Sequence, residues 1–334
     1  MRILVRGTNW IGDAVMTIPA IRKLRALFPE AAMTLLTPEW AEGIFSSTGL
    51  FNDIVTTDSM LAEVRELRRR GFDLAIVFPN SFKTALVARL AGAKQRFGYA
   101  SDRRGFLLTD AVAIPEWKNT RHEVYYYLNL VDAIEQSYFG AVTETTDMEP
   151  RIEVPSEKLV EAQRFLSAGD SRTIVLAPGS TNSRAKRWLP ENFAGLNDRL
   201  QRELGAKVIL LGSKGDAEVS QRVIDLSSEK PIDLTGDTDI ETAAALLHEA
   251  DILVSNDMGL AHLAPAVGTK TIVIFGPTNQ VTTRPFSEKA VVLSANVECA
   301  PCMLRDCPID HRCMTRVTAD SVFEEVKKIL NDGN

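Results

Sequence analysis

The sequence is poor in several things that would have narrowed its function at once. No apolar run approaches the ~20 residues that a bilayer-spanning helix requires, so no segment is a candidate transmembrane span. Basic residues are outnumbered, 38 Lys and Arg against 44 Asp and Glu, and a net charge of -6 argues against general nucleic-acid binding. A Gly-x-Gly-x-x-Gly fingerprint is missing, which disfavours a dinucleotide-dependent oxidoreductase. The N-terminal Met1-Arg2-Ile3-Leu4-Val5-Arg6 has charge within its apolar stretch and no small-residue cleavage site. It therefore reads as a first strand and not a signal peptide, and the expected location is the cytoplasm, where thiols stay reduced. Cysteine is scarce, with only four residues, all close to the C-terminus.

What is present is ordinary for a globular chain: 45% hydrophobic and 25% charged residues over a length that suits two domains. The organising stretch is Asp251-Ile252-Leu253-Val254-Ser255-Asn256-Asp257-Met258-Gly259-Leu260-Ala261-His262. A short apolar run predicts a buried parallel strand, Ser-Asn-Asp supplies N-cap residues, and Gly259–Ala266 follows as a helix. A helix start beyond the carboxyl end of such a strand is where an anionic ligand binds in open α/β sheets.

The same grammar recurs along the chain. Strand Ile3–Val5 leads through Arg6-Gly7-Thr8-Asn9-Trp10-Ile11-Gly12-Asp13 into a helix that Pro29 ends, and Asp13 falls at that helix start. Strands at Met33–Leu36, Asp53–Thr57 and Asp73–Phe78 and a basic helix around Leu61–Arg70 continue a parallel, doubly wound series. From Pro79 to Arg121 eight basic residues face three acidic ones, which suggests a surface for an anionic partner. A polar interdomain region over 137–171 then separates two similar halves, 1–155 and 156–334. The second half repeats the pattern with strands Thr173–Ala177, Lys207–Leu211, Asp251–Ser255 and Lys270–Phe275 and a helix at Pro190–Leu204. It ends in a helix at about 318–331, for which packing back on the first domain is an option.

The second half concentrates phosphate-binding equipment. Gly179, Ser180 and Thr181 offer amide and hydroxyl groups at a strand end, Lys186 adds a point charge, and the turns at Gly212–Asp216 and Asp257–Gly259 aim at the same sheet edge. Three such turns describe a nucleoside diphosphate site, and a carboxylate on the other half suits a group transferase.

The blocks Asn9-Trp10-Ile11-Gly12-Asp13, Phe78-Pro79-Asn80-Ser81-Phe82-Lys83, Pro178-Gly179-Ser180 with Ala185-Lys186-Arg187-Trp188, and Ser255 to His262 resemble the signatures of the ADP-heptose:lipopolysaccharide heptosyltransferases, heptosyltransferase II above all. The resemblance implies a GT-B fold, with two doubly wound Rossmann-like domains facing across a cleft, acceptor on the first and nucleotide-sugar on the second. It implies inverting transfer of heptose from ADP-heptose to the first heptose of the lipid A-linked inner core, with no cofactor or metal for catalysis. Residue by residue, it assigns the general base to Asp13 and the donor-phosphate lysine to Lys186, beside Ser180 and Thr181. The nucleotide-sugar would be held by Asp257, Met258, Gly259 and His262, with a nucleotide-contacting acid near Asp216. The lipid-linked acceptor implies peripheral contact with the inner membrane at its cytoplasmic face.

The cysteines stand outside this pattern. Cys299, Cys302, Cys307 and Cys313 form C-x2-C-x4-C-x5-C, with His311 among them, too tight a grouping for chance. They read either as a loop of free thiols or as a structural zinc site, though the spacing is not a common one. The competing functional readings are another heptosyltransferase, a sugar-nucleotide epimerase of the same fold, and a non-catalytic nucleotide-sugar binding module.

Overall fold

The computed structural model describes residues 1–331 except Asp58, 167–170 and Asn182, so part of the interdomain region and one residue of the turn after Gly179 lie outside the described residues. The chain divides into two compact units, Met1–Ile152 and Glu153–Asn334.

In the first unit, strands β1 (Arg2–Arg6), β2 (Ala32–Leu36), β3 (Asp53–Val55), β4 (Leu74–Val77), β5 (Gln95–Tyr99) and β6 (Asp110–Val112) alternate with helices α1 (Ile11–Leu27), α2 (Glu42–Phe45), α3 (Met60–Arg70) and α4 (Phe82–Leu90). Helix α5 (Glu123–Phe139) closes the unit and packs along α1. The strands form one parallel sheet in the order β3-β2-β1-β4-β5-β6. Strand β4 is buried at every position, as expected of a strand covered on both faces. Local chemistry sets the helix starts: the Ser59 hydroxyl accepts from the Ala62 N–H, and that of Ser81 from Thr84. Gly140 ends α5 in the left-handed conformation.

The second unit repeats this plan. Helix α6 (Ser156–Ala162) precedes β7 (Thr173–Ala177), α7 (Pro190–Leu204), β8 (Lys207–Leu210), α8 (Ala217–Leu226), β9 (Ile232–Asp233) and α9 (Ile240–Glu249). Then come β10 (Ile252–Asn256), α10 (Gly259–Ala266), β11 (Lys270–Phe275), α11 (Gln280–Thr283), β12 (Ala290–Ser294), α12 (Arg312–Thr315) and α13 (Ala319–Asn331). The parallel order is β12-β11-β10-β7-β8-β9. Counted from the first strand of each unit, both sheets run 3-2-1-4-5-6, the doubly wound order whose crevice opens where the winding reverses. That point lies between β1 and β4 in one unit and between β7 and β10 in the other.

The core of the second unit takes in the last helix. Val322, Phe323, Val326, Ile329 and Leu330 are buried with Trp188, Phe193 and Leu200, and α13 packs on α7 and β11. The apolar face of α13 is thus part of the core of its own unit. Pro190 starts α7 at its first turn and Gly205 ends it in the left-handed conformation, which is why its bounds could be read from the sequence.

Candidate active site

In the first unit, Asp13 lies in the first turn of α1, just past the carboxyl end of β1, and is half-buried. The hydroxyl of Tyr127, on α5, donates to Asp13 Oδ1 at 2.9 Å. Glu123, on the same helix, pairs with Lys118, while burial and the negative charge of Asp13 push its carboxyl above the ordinary range. The polar turn after β4 is tied down nearby: Asn80 Nδ2 donates to Tyr126 Oη at 3.1 Å, and the Tyr126 ring stacks on Tyr99 with centroids 3.9 Å apart.

The basic stretch from Pro79 to Arg121 does not all reach the surface. Arg104 is 0% exposed; its guanidinium donates to the carbonyls of Tyr99, Pro79 and Ser81 and so braces the turn from inside. Desolvation lowers its pKa to about 10, outweighing the opposing pull of Tyr126 and Asp102. Lys83, Arg89, Lys94, Arg103 and Arg121 remain exposed.

In the second unit, the turns that follow β7, β8, β10 and β11 meet at one sheet edge. Asn256 ends β10, and its side-chain amide donates to the carbonyls of Pro178 (2.8 Å) and Gly179 (3.1 Å) across the switch point. Its Oδ1 accepts from the Trp188 N–H at 2.9 Å, and the buried Trp188 indole donates to Val317 O at 2.7 Å. The loop carrying Lys186 is therefore anchored on both strands. Lys186 Nζ sits 2.8 Å from Asp257 Oδ2, and the Thr278 hydroxyl donates to that same oxygen at 2.6 Å. Asp257 is 5% exposed while the Lys186 side chain keeps 27% of its surface, so the pair presents its cation outward.

This arrangement corrects the capping expected from the sequence. The N-cap of α10 is Met258, which makes no side-chain cap. Asp257 is engaged by Lys186 and Thr278, and Asn256 by Trp188 and the β7 turn, so tertiary partners have outcompeted local capping. The first turn of α10 still carries the amide groups that any helix leaves without an internal acceptor. Gly259 opens that turn and His262 follows within the helix, buried.

Asp216 completes the edge. Its Oδ2 accepts from the Ser213 N–H at 3.0 Å and hydroxyl at 2.7 Å, closing a capping box, while Oδ1 is buried with no hydrogen-bond partner among the described residues. Gly179 faces this carboxylate so closely that a Cβ there would stand 2.2 Å from Asp216 Oδ1. Ser180 is buried, its carbonyl accepting from Arg187, and Thr181 is exposed. The phosphate-site positions expected from the sequence thus follow strand ends of this one sheet, together with Asn256, expected there only as a helix cap, and Thr278, which the sequence did not single out.

The cysteine loop is a brace for that edge. Ala185 N donates to Arg305 O at 2.9 Å, and His311 Nε2 to Ala185 O at 2.6 Å, next to Lys186. Met303 N donates to Pro277 O at 2.8 Å. Cys299, Cys302, Cys307 and Cys313 line one pocket as free thiols. Among the described residues no three His, Cys, Asp or Glu side chains are arranged to hold a metal ion.

Two doubly wound units, one with a lysine and helix-start amides at its switch point and the other with a carboxylate, are the equipment of a group transferase. Residues 60–312 match the model of glycosyltransferase family 9 (heptosyltransferase), and the chain belongs to that family. It is 29% identical to lipopolysaccharide heptosyltransferase 2 of Salmonella typhimurium, over 99% of both chains. The structure of Escherichia coli ADP-heptose lipopolysaccharide heptosyltransferase II superposes with a TM-score of 0.83 at 26% identity, over 100% of this chain and 99% of that one. A family 9 glycosyltransferase from Veillonella parvula superposes at 0.86, with 25% identity over 99% and 97%. The protein is a glycosyltransferase of GT-B fold, built from two doubly wound units.

Proposed function

We propose that the protein transfers L-glycero-D-manno-heptose from ADP-heptose to the first heptose of the lipopolysaccharide inner core, with inversion. The observation that carries this reading is the Lys186–Asp257 pair at the start of α10, an outward cation flanked by helix amides, on a chain similar end to end to heptosyltransferase II.

In this scheme the diphosphate of the donor lies against Lys186 and the first-turn amides of α10, with Ser180 and Thr181 beside it. Asp216 Oδ1, buried without a partner among the described residues, is the acceptor for a hydroxyl of the nucleotide. His262 and the Met258–Gly259 backbone hold the sugar end. The acceptor hydroxyl loses its proton to Asp13 as its oxygen bonds to the anomeric carbon, and the bond from that carbon to the diphosphate breaks. Negative charge develops on the departing ADP, where fixed cations and amides are worth most. None of these steps passes through the cysteine loop.

The exposed lysines and arginines between Lys83 and Arg121 are where the anionic sugars of the acceptor would rest. Among the described residues no helix is long and apolar enough to cross a membrane. In this reading the lipid-linked acceptor is met by peripheral contact, at the cytoplasmic face of the inner membrane.

The test is a product assay with ADP-heptose, with and without a heptose-terminated inner-core acceptor. Heptose should appear on the acceptor only when both are present, and uridine-linked sugars should not replace the donor. An altered sugar nucleotide formed from donor alone would mean epimerase chemistry and overturn the assignment.

A further inference from the structure

Asp13 stands alone in the motif that marks it, but not in the fold. Tyr127, far along the chain on α5, is 6% exposed and donates to Asp13 Oδ1 at 2.9 Å. Its ring is gripped edge-on by Phe78, with centroids 5.6 Å apart, and by its neighbour Tyr126 at 6.2 Å. A phenol so enclosed has one place to point. Burial, together with the charges of Asp13 and Glu123, pushes it well above the usual tyrosine range, so it keeps its proton and donates throughout.

Glu123 precedes Tyr127 by one turn and lies on the same helix face. Its negative charge acts against the same carboxylate, and Lys118, from the short helix Glu116–Asn119, partly offsets it by pairing with Glu123. Helix α5 therefore brings both a donor and a like charge to Asp13.

We propose that Tyr127 is the positioning residue of the Asp13 base: its phenol fixes the orientation of the carboxylate that receives the acceptor proton, and Glu123 sets the opposing charge. This rests on the reading of Asp13 as the base. During transfer the acceptor O–H bond breaks and that proton moves to Asp13. The Tyr127 proton stays on its own oxygen, so the residue holds the base without exchanging anything with substrate.

The experiment compares Tyr127→Phe, Glu123→Gln and Asp13→Asn in full-length enzyme, following kcat, KM for ADP-heptose, and the pH profile of kcat/KM. Tyr127→Phe keeps the ring and its packing, so the melting temperature serves as a folding check. Its kcat should fall roughly tenfold, with KM for the donor held within about twofold, because a base that is no longer oriented loses near-attack geometry. A hydrogen bond donated to a carboxylate favours the charged form. Losing it should therefore move the acidic limb of kcat/KM to higher pH, by about one unit. Glu123→Gln removes a like charge and should move the limb the other way. With Asp13→Asn inactive, a Tyr127→Phe enzyme that keeps the wild-type limb overturns the proposal, and a fall in kcat with the limb unmoved does so too, by reducing Tyr127 to packing. An Asp13→Asn enzyme of near wild-type rate would instead remove the base, and with it the premise.

Discussion

The two units share a strand order and a crevice position, yet their switch points are equipped in opposite ways. One presents a carboxylate, Asp13, that accepts a hydrogen bond from a tyrosine distant in the chain. The other presents a cation, Lys186, on a loop stitched down by Trp188, Asn256, Arg305 and His311. Topology thus places a crevice, while the loops decide its chemistry. The difference has a functional sense. A diphosphate is bound by charge and amides and needs a rigid cradle already in place, whereas a proton acceptor needs one atom correctly aimed.

The largest expected effect separates the two sites cleanly. Asp13→Asn should leave ADP affinity within about twofold, because the proposed nucleotide site is built by the other unit, while transfer falls by roughly 10²–10⁴-fold. Lys186→Ala should lower both, since a bound phosphate and a departing one lose the same partner, and it also leaves Asp257 buried without its cation. Calorimetric titration of ADP beside turnover measures the contrast. Equal loss of ADP affinity in both variants would erase the division of labour between the units.

A smaller effect tests how tightly the donor edge is built. A Cβ at Gly179 would lie 2.2 Å from the Asp216 carboxylate, so Gly179→Ala must displace either β7's turn or the capping box. The expected cost is about 1–3 kcal/mol, a fall of roughly 2–10 °C in melting temperature, with ADP affinity lost in parallel. Gly195, inside α7, has nothing nearer than 3.8 Å to an added methyl, so Gly195→Ala should be neutral or stabilising by up to about 1 kcal/mol. A Gly179→Ala protein as stable as Gly195→Ala would show that the edge yields more readily than its contacts suggest.

How much of this was legible in the residues depends on whether the signal was local. The elements Thr173–Ala177, Pro190–Leu204, Gly259–Ala266 and Lys270–Phe275 have the bounds their apolar runs and Pro or Gly punctuation predict. Asp13, Lys186 and Asp257 could be found because each belongs to a short motif at a strand end. Helix α5 was not read, since its last turn merges into the polar stretch after Ser137, although Val124, Tyr127, Leu128 and Val131 recur at helical spacing. With it went Tyr127, whose contact with Asp13 spans a separation that no motif encodes. Ser255-Asn256-Asp257 carried a true capping signal that lost to tertiary partners, and Thr278 and Asn256 acquire their roles only when strands β7, β10 and β11 lie side by side.

The smallest effect concerns the cysteine loop, where the comparison between the units can be sharpened. The donor edge leans on a segment containing four free thiols, and the acceptor side has nothing similar, so thiol chemistry should disturb one unit alone. Cys299 and Cys302 are exposed, Cys307 is intermediate and Cys313 is buried. Burial, reinforced by the charges of the other three, pushes the Cys313 thiol up, which leaves less of the reactive thiolate at neutral pH. A disulfide reagent at pH 7 should therefore consume Cys299 and Cys302 first and Cys313 last, because Cys313 is both buried and held further toward the thiol. Modification of the first two should leave turnover nearly intact. Reaction at Cys313, which packs against Gly276 at the end of β11, should loosen the loop that holds Ala185 and weaken ADP binding. Mass mapping of the modified cysteines alongside ADP titration follows both events. Four thiols that resist together, and are released together only by a chelator, would mean that a metal and not this hydrogen-bonded loop braces Lys186.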